Sequence, residues 1–241
     1  MKVEVIDYTR EPDRTVAVAA RLCYSPRGID DIGTGMEDSE VGWMIRMLRE
    51  RGHLSPFEHA SFTIGIEGLS RVSSHQLVRS RIASYSQQSQ RYIDQRGFEF
   101  VAPPSIDRDP DLREQFRRHL ADSRKLYEDL CAAGVPGEDA RFVLPQAVAS
   151  SMIMSKNARA WLEWFEVRMC TRAQWEIRRL ADAVLRELRK LAPNLFGIAG
   201  PPCRVRGLCW EGAHSCGLID QLTREPGSFR AAPERKETEE T

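Results

Sequence analysis

The chain has 241 residues, with 41% hydrophobic and 29% charged side chains, the composition of a soluble, core-forming protein. Lysine plus arginine number 35 and aspartate plus glutamate also 35, a balance that argues against a long nucleic-acid partner and for a small anionic ligand. No uncharged apolar run approaches the roughly 20 residues of a membrane span, and the opening is a strand pattern where a signal peptide would need a continuous apolar stretch. The expected location is the cytoplasm.

In chain order, Lys2-Val3-Glu4-Val5-Ile6 alternates as a strand, and Thr15 to Cys23 reads as a helix after Pro12-Asp13. Gly28 to Gly35 reads as a Gly-rich link. Ser39 is placed as the cap of a helix carrying Val41, Met44, Ile45 and Leu48, which Gly52 ends. Ala60, Phe62, Ile64 and Ile66 alternate as a strand with one buried face. Leu69 to Ile82 reads as a helix that sets Gln76, Arg79 and Ser80 on one polar face. Pro103-Pro104 marks a loop. A long helix follows, striped by Phe116, Leu120, Ser123, Tyr127 and Leu130, and Gly134-Val135-Pro136-Gly137 breaks it. A short helix near Glu138 carries Arg141. Two more cover Asn157 to Cys170 and Arg172 to Leu191, the second with Ile177, Leu180, Val184, Leu188 and Leu191 inward, and Pro193 stops it. Nothing in the composition splits residues 1–219, which are expected to form one domain. Residues 220–241 are polar and aperiodic and are expected to be a disordered tail.

The segment from Gln76 to Tyr92 bears the chemistry. Arg79, Arg81 and Arg91 alternate with hydroxyls and amides, and the segment contains no acid. Guanidinium forks bind phosphate bidentately, so the segment predicts a phosphate or nucleotide site. A solvated polar loop is the plainer alternative, and it fits poorly with Ile82, Tyr85 and Tyr92 interspersed. No Gly-x-Gly-x-x-Gly follows a strand, so a Rossmann site is unsupported.

Arg79-Ser80-Arg81, seven residues, then Ser89 resembles the Arg-His-Arg-(seven residues)-Ser signature of flavin-dependent thymidylate synthases. Gly52-His53-Leu54-Ser55-Pro56-Phe57-Glu58-His59, Ala140-Arg141 through Leu144-Pro145, Asn157-Ala158-Arg159, Arg168 and Ala173-Gln174-Trp175-Glu176-Ile177-Arg178 resemble further blocks of that family in the same order. The resemblance spans about Met1 to Leu195. It implies an α+β fold, helix-rich with a small, mostly antiparallel sheet, assembled as a homotetramer with sites shared between subunits. It also implies reductive methylation of dUMP to dTMP, with methylenetetrahydrofolate giving the carbon and NADPH reducing a bound FAD, and no protein nucleophile.

By the same resemblance, Gln76, Arg79, Gln87, Ser89, Arg91, Arg141 and Arg168 match positions that hold dUMP. Ser55, Arg79, Ser80, Arg81, Gln87, Asn157 and Arg159 match positions assigned to FAD; His53, in the same block as Ser55, is a flavin or folate candidate with a hydrogen-bonded structural histidine as its alternative, and Glu163 stands where some relatives carry Asn at the flavin. Arg168 is the catalytic candidate, a permanent cation that would stabilise the uracil N3 anion and push electron density toward C5. Its plainer alternative is an ion pair with Glu163 or Glu166. The chain departs from the signature at Ser80, where the family's usual histidine supplies a flat, titratable ring.

Six cysteines show no C-x-x-C spacing. Cys23, Cys131 and Cys170 lie in apolar patterns and are read as small core residues. Cys203, Cys209, His214 and Cys216 have ligand types that suit zinc, but their spacing fits no standard zinc pattern. Structural thiols are the preferred reading, and no metal is expected. Two other functions share these residues: a non-catalytic nucleotide- or RNA-binding module, and a flavoprotein reductase of another substrate.

Overall fold

The computed structural model describes residues 1–26 and 28–224. The element order is β1 (Lys2–Tyr8), α1 (Pro12–Leu22), α2 (Ile29–Thr34), α3 (Asp38–Glu50), β2 (Ser61–Ser70), α4 (Arg71–Leu77), β3 (Ser84–Gln87) and α5 (Pro104–Asp107). It continues with α6 (Pro110–Ala132), α7 (Gly137–Ala140), β4 (Ala149–Asn157), α8 (Ala158–Arg168), α9 (Trp175–Leu191), α10 (Pro193–Phe196), α11 (Pro202–Val205) and α12 (Leu218–Arg224). The fold is α+β and helix-rich, with a four-stranded antiparallel sheet in the order β1-β2-β4-β3. No helix among the described residues is long and apolar enough to cross a membrane.

The chain divides into two compact units, residues 1–6 with 63–155 and residues 7–62 with 156–241. The first holds most of the sheet. Ile64 and Ile66 of β2 and Met152 and Met154 of β4 are buried at alternate positions, as a strand with one covered face requires, and Leu69 is buried near the end of β2. A smaller cluster of Phe98, Leu120 and Val148 buries Phe116, Leu144 and Ala147 beside it, and it takes up the apolar stripe of α6.

The second unit is helical. Trp161, Trp164 and Phe165 of α8 stack edge and face among themselves, and Phe196 meets Phe62 edge-on at 5.2 Å between ring centres. Helix α9 buries Ile177, Leu180, Val184 and Leu188, while Leu191 is half-buried at its end. One carboxylate ties the ends of this unit together. Asp13 accepts from the backbone N–H of Asn194 at 2.9 Å, its side-chain amide at 2.8 Å and the Leu195 N–H at 3.1 Å. It thus caps α10 from α1.

Several local expectations are corrected. The Gly28–Gly35 stretch is not a link: α2 forms within it and buries Ile32. Ser39 is not the cap of α3, because the helix starts at Asp38 after an extended Glu37. The region 69–82 is not one helix. Strand β2 runs on to Ser70, whose side chain caps α4 by accepting the Ser73 N–H, and α4 ends at Leu77. Arg79 and Ser80 therefore lie outside any helix. Cys23 is exposed and not core, and Cys131 and Cys170 are half-buried. The polar tail placed from 220 starts inside α12, and its residues 225–241 lie outside the described residues.

Replacing Asp13 with alanine leaves two helix-start N–H groups and an amide without their acceptor. The expected loss is about 2 kcal/mol, read by denaturant unfolding. Asp13→Asn, which keeps one acceptor oxygen, is expected to lose less.

Candidate functional site

The first unit carries the phosphate-binding candidates. Past the end of α4, the Tyr85 hydroxyl lies 2.9 Å from both the Leu77 and the Ser80 carbonyl oxygens and shares its one proton between them. The loop between is thereby tied to β3. Within it Arg79 and Arg81 are exposed, Ser80 is half-buried, and among the described residues neither guanidinium meets a carboxylate. Strand β3 pairs antiparallel with β4, Ser84 opposite Ser155 through Gln87 opposite Met152. Gln87 donates its amide to Ser150 Oγ at 3.2 Å. Gln76, on α4, is half-buried.

Immediately after β3 the chain turns at Ser89, whose Oγ accepts the Arg91 N–H at 3.2 Å. The acid missing from this segment is supplied by the fold. Glu138 accepts from Arg91 Nε at 2.9 Å and Nη2 at 2.7 Å, and its backbone carbonyl accepts from Arg141 Nε at 3.0 Å. Arg91 and Arg141 are thus brought together over one residue. Both partners of the Arg91–Glu138 pair are about half exposed, so solvent screens the pair and an incoming dianion can compete with it.

Arg71 joins this group without having been anticipated. Burial, and then the positive charge of Arg141, lower its proton affinity below the usual arginine range. Its position at the start of α4 was hidden when the whole region was read as helix. The signal available in the sequence was Ser70, a cap residue immediately before it.

The second unit carries the remaining candidates. Asn157 caps α8, its side-chain oxygen accepting the Ala160 N–H at 2.9 Å. Arg159 donates through Nε to Glu163 at 3.1 Å and through Nη1 to Glu58 at 2.7 Å. Two of its five donors are used, which leaves the rest for a ligand. Ser55 is exposed at the start of a 3-10 turn over Ser55–His59. His53 is exposed and lines a cleft of about 540 Å³ with Tyr24, Trp43, Met47 and Arg51. That volume lies within the range of small-molecule sites.

Arg168, half-buried, ends α8, where the helix carbonyls favour a cation. It stands nine residues beyond Arg159, about 13 Å along the axis and about half a turn round. A single small group therefore does not meet both. Of the two acids considered as its partners, Glu163 receives Arg159, and Glu166 receives Arg206 at 3.0 Å.

Lys156 is the other residue not anticipated. The alternation of β4 puts it on the same side as Met152 and Met154, only 4% exposed. Burial lowers its pKa from 10.5 to about 8; Glu163 pulls it back up, and the neighbouring Arg168 adds to the lowering. The strand was missed in the sequence because Ser150, Ser151, Ser155 and Lys156 break its apolar pattern.

Unfolded, Lys156 keeps its proton up to about pH 10.5; folded, it gives it up near pH 8. Between those values the unfolded chain holds more protons, so this group makes stability rise with pH, by at most about 3 kcal/mol. Denaturant unfolding at pH 7 and pH 10 should show a smaller rise in Lys156→Met than in the natural chain. Equal rises in both would exclude a depressed Lys156.

Residues 4–194 match the family described as thymidylate synthase complementing protein. A flavin-dependent thymidylate synthase of Clostridium tetani is 45% identical over 240 residues, covering 93% of this chain and 96% of that protein. One from Geobacter sulfurreducens is 46% identical over 226 residues, covering 93% and 97%. One from Pyrococcus abyssi is 39% identical over 243 residues, covering 98% and 96%. With the arginine-rich segment, its Glu138-joined partners and the α8 termini all inside the matched span, the chain belongs to the thymidylate synthase complementing protein family.

Proposed function

We propose that the protein reductively methylates dUMP to dTMP, taking the carbon from methylenetetrahydrofolate and the reducing equivalents from NADPH through FAD. The observation that carries this reading is the guanidinium set of the first unit. Arg91 and Arg141 meet over Glu138, Arg71 is close to Arg141, and Arg79 and Arg81 are exposed without a carboxylate. Such a set suits one phosphate monoester plus a second polyphosphate ligand. Arg71, Arg91, Arg141 and Ser89 would hold the dUMP phosphate, with Gln76, Arg79 and Gln87 turned to the nucleoside. Ser89 serves as a binding hydroxyl and not as a nucleophile, in keeping with its contact to the Arg91 N–H.

The residues also fit a flavin. Tyr24, Trp43 and His53 border a cleft that suits a flat ring, and the unused donors of Arg159 suit a pyrophosphate. In the second unit Ser55, Asn157, Arg159 and Glu163 are the proposed FAD contacts, and in the first Arg79, Ser80, Arg81 and Gln87 are. When bound, FAD accepts hydride from NADPH and passes reducing equivalents to the one-carbon unit. Arg168 would face uracil N3 and hold its anion, which raises electron density at C5. Lys156 lies near Arg168, with its pKa lowered to about 8, chiefly by burial. Membership of the family supports a homotetramer whose sites draw on more than one copy, working in the cytoplasm.

The deciding experiment follows the visible spectrum of the FAD-loaded protein anaerobically. NADPH is expected to bleach it, and dUMP with methylenetetrahydrofolate to restore it, with dTMP formed. Absence of bound flavin together with salt-sensitive oligonucleotide binding would favour an RNA-binding module. Bleaching without recovery would favour a reductase of another substrate. Arg141→Ala is expected to weaken dUMP binding about 10- to 100-fold with flavin content retained, as measured by calorimetric titration. Arg168→Ala should cut turnover far more than it changes flavin content. Equal loss of both would refute the role at N3.

A further inference from the structure

Four of the six cysteines converge on one cavity of about 380 Å³ in the second unit: Cys170, Cys203, Cys209 and Cys216, with Thr171, Glu211 and Ser215. The nucleotide and flavin assignments use none of them. Their environments differ. Cys216 is exposed, and Gly217 (φ 77°) turns the chain after it into α12, so that the Leu218 N–H faces back onto its sulfur. The Thr171 hydroxyl donates to the same sulfur and is the largest influence holding this thiol below its usual range, followed by the Leu218 N–H. Cys203, on α11, is half-buried, and burial followed by its neighbour Cys216 pushes its thiol up. Cys170 and Cys209 are turned to oxygens, Glu211 Oε1 at 3.9 Å and Ser215 Oγ at 3.5 Å. Among the described residues no three such side chains are arranged to hold a metal ion.

We propose that Cys216 is a disulfide-exchanging thiol and Cys203 its resolving partner, so that a low-molecular-weight disulfide closes a bridge between α11 and the start of α12. In the first step the Cys216 thiolate attacks one sulfur of the disulfide RSSR. The S–S bond breaks, Cys216 becomes a mixed disulfide, and the released thiolate takes a proton from water. Cys203 then loses its proton to solvent and attacks the Cys216 sulfur, expelling the second thiolate. Two electrons pass from the two cysteines to RSSR, which leaves as two RSH. The division of labour follows thiol chemistry: an accessible, hydrogen-bonded thiolate reacts first, and a shielded thiol resolves.

The test treats the full-length, FAD-loaded protein with oxidised glutathione, blocks remaining thiols with iodoacetamide and maps the peptides by mass. The expected product is a Cys203–Cys216 bridge, with Cys216 reacting at least about 10-fold faster than the exposed Cys23. Cys203→Ser should stop at a Cys216–glutathione mixed disulfide, and Cys216→Ser should give neither product. Retained flavin and circular dichroism check that each variant is folded. Comparable rates at Cys23 and Cys216, or a bridge from Cys216 to Cys170 or Cys209, would overturn the assignment. So would stoichiometric zinc released as the thiols react, which would make the cluster a metal site.

Discussion

The arginine-rich segment has its shape because four residues, Ser84 to Gln87, pair with Met152 to Ser155 of β4. A segment so rich in serine, glutamine and arginine has little apolar area with which to fix itself. Backbone pairing supplies the order instead, and the Tyr85 hydroxyl extends it backward to the end of α4. Forward of the ladder, Gln88 continues it by exchanging hydrogen bonds with Ser151, and the Ser89 turn follows. Arg79 and Arg81 thus emerge from one end of the ladder and Arg91 from the other. A peptide of the same sequence without β4 would hold neither set in place.

Charge is arranged on a finer scale than the zero net charge suggests. Arg91 pairs with the Glu138 carboxylate while Arg141 bonds that residue's backbone carbonyl, and burial, followed by the charge of Arg141, lowers the proton affinity of Arg71. In the second unit burial, with a smaller contribution from Arg168, lowers the pKa of Lys156 to about 8, so that it gives up its proton only above neutral pH.

How much of this was legible depended on whether a residue's local preference agreed with its final surroundings. The alternation of Phe62, Ile64 and Ile66, the stripe of α6 and the inner face of α9 all carry strong periodicity, and the structure buries them accordingly. The arginines were legible as chemistry because the segment from Gln76 to Tyr92 that holds them contains no acid. Glu138 was not legible as their partner, since it sits 47 positions from Arg91. Region 69–82 misled because its apolar residues fit a helix equally well, and the strand extension to Ser70 is settled only by neighbours distant in sequence. Strand β4 hid behind serines and a lysine that the alternation later turns inward.

The two units are not successive stretches of sequence; the chain passes from one to the other after residues 6, 62 and 155. Synthesis on the ribosome proceeds at about 5–20 residues per second. The carboxylate of Asp13 is therefore made about 10–40 s before the Asn194 and Leu195 amides it caps, 181 and 182 positions later. Through that interval the nascent α1 lacks the far end of its own unit, while residues 63–155 can close the other. Completion of the helical unit thus waits for residues 194 and 195, and the apolar face of α1 stays uncovered at that end in the meantime.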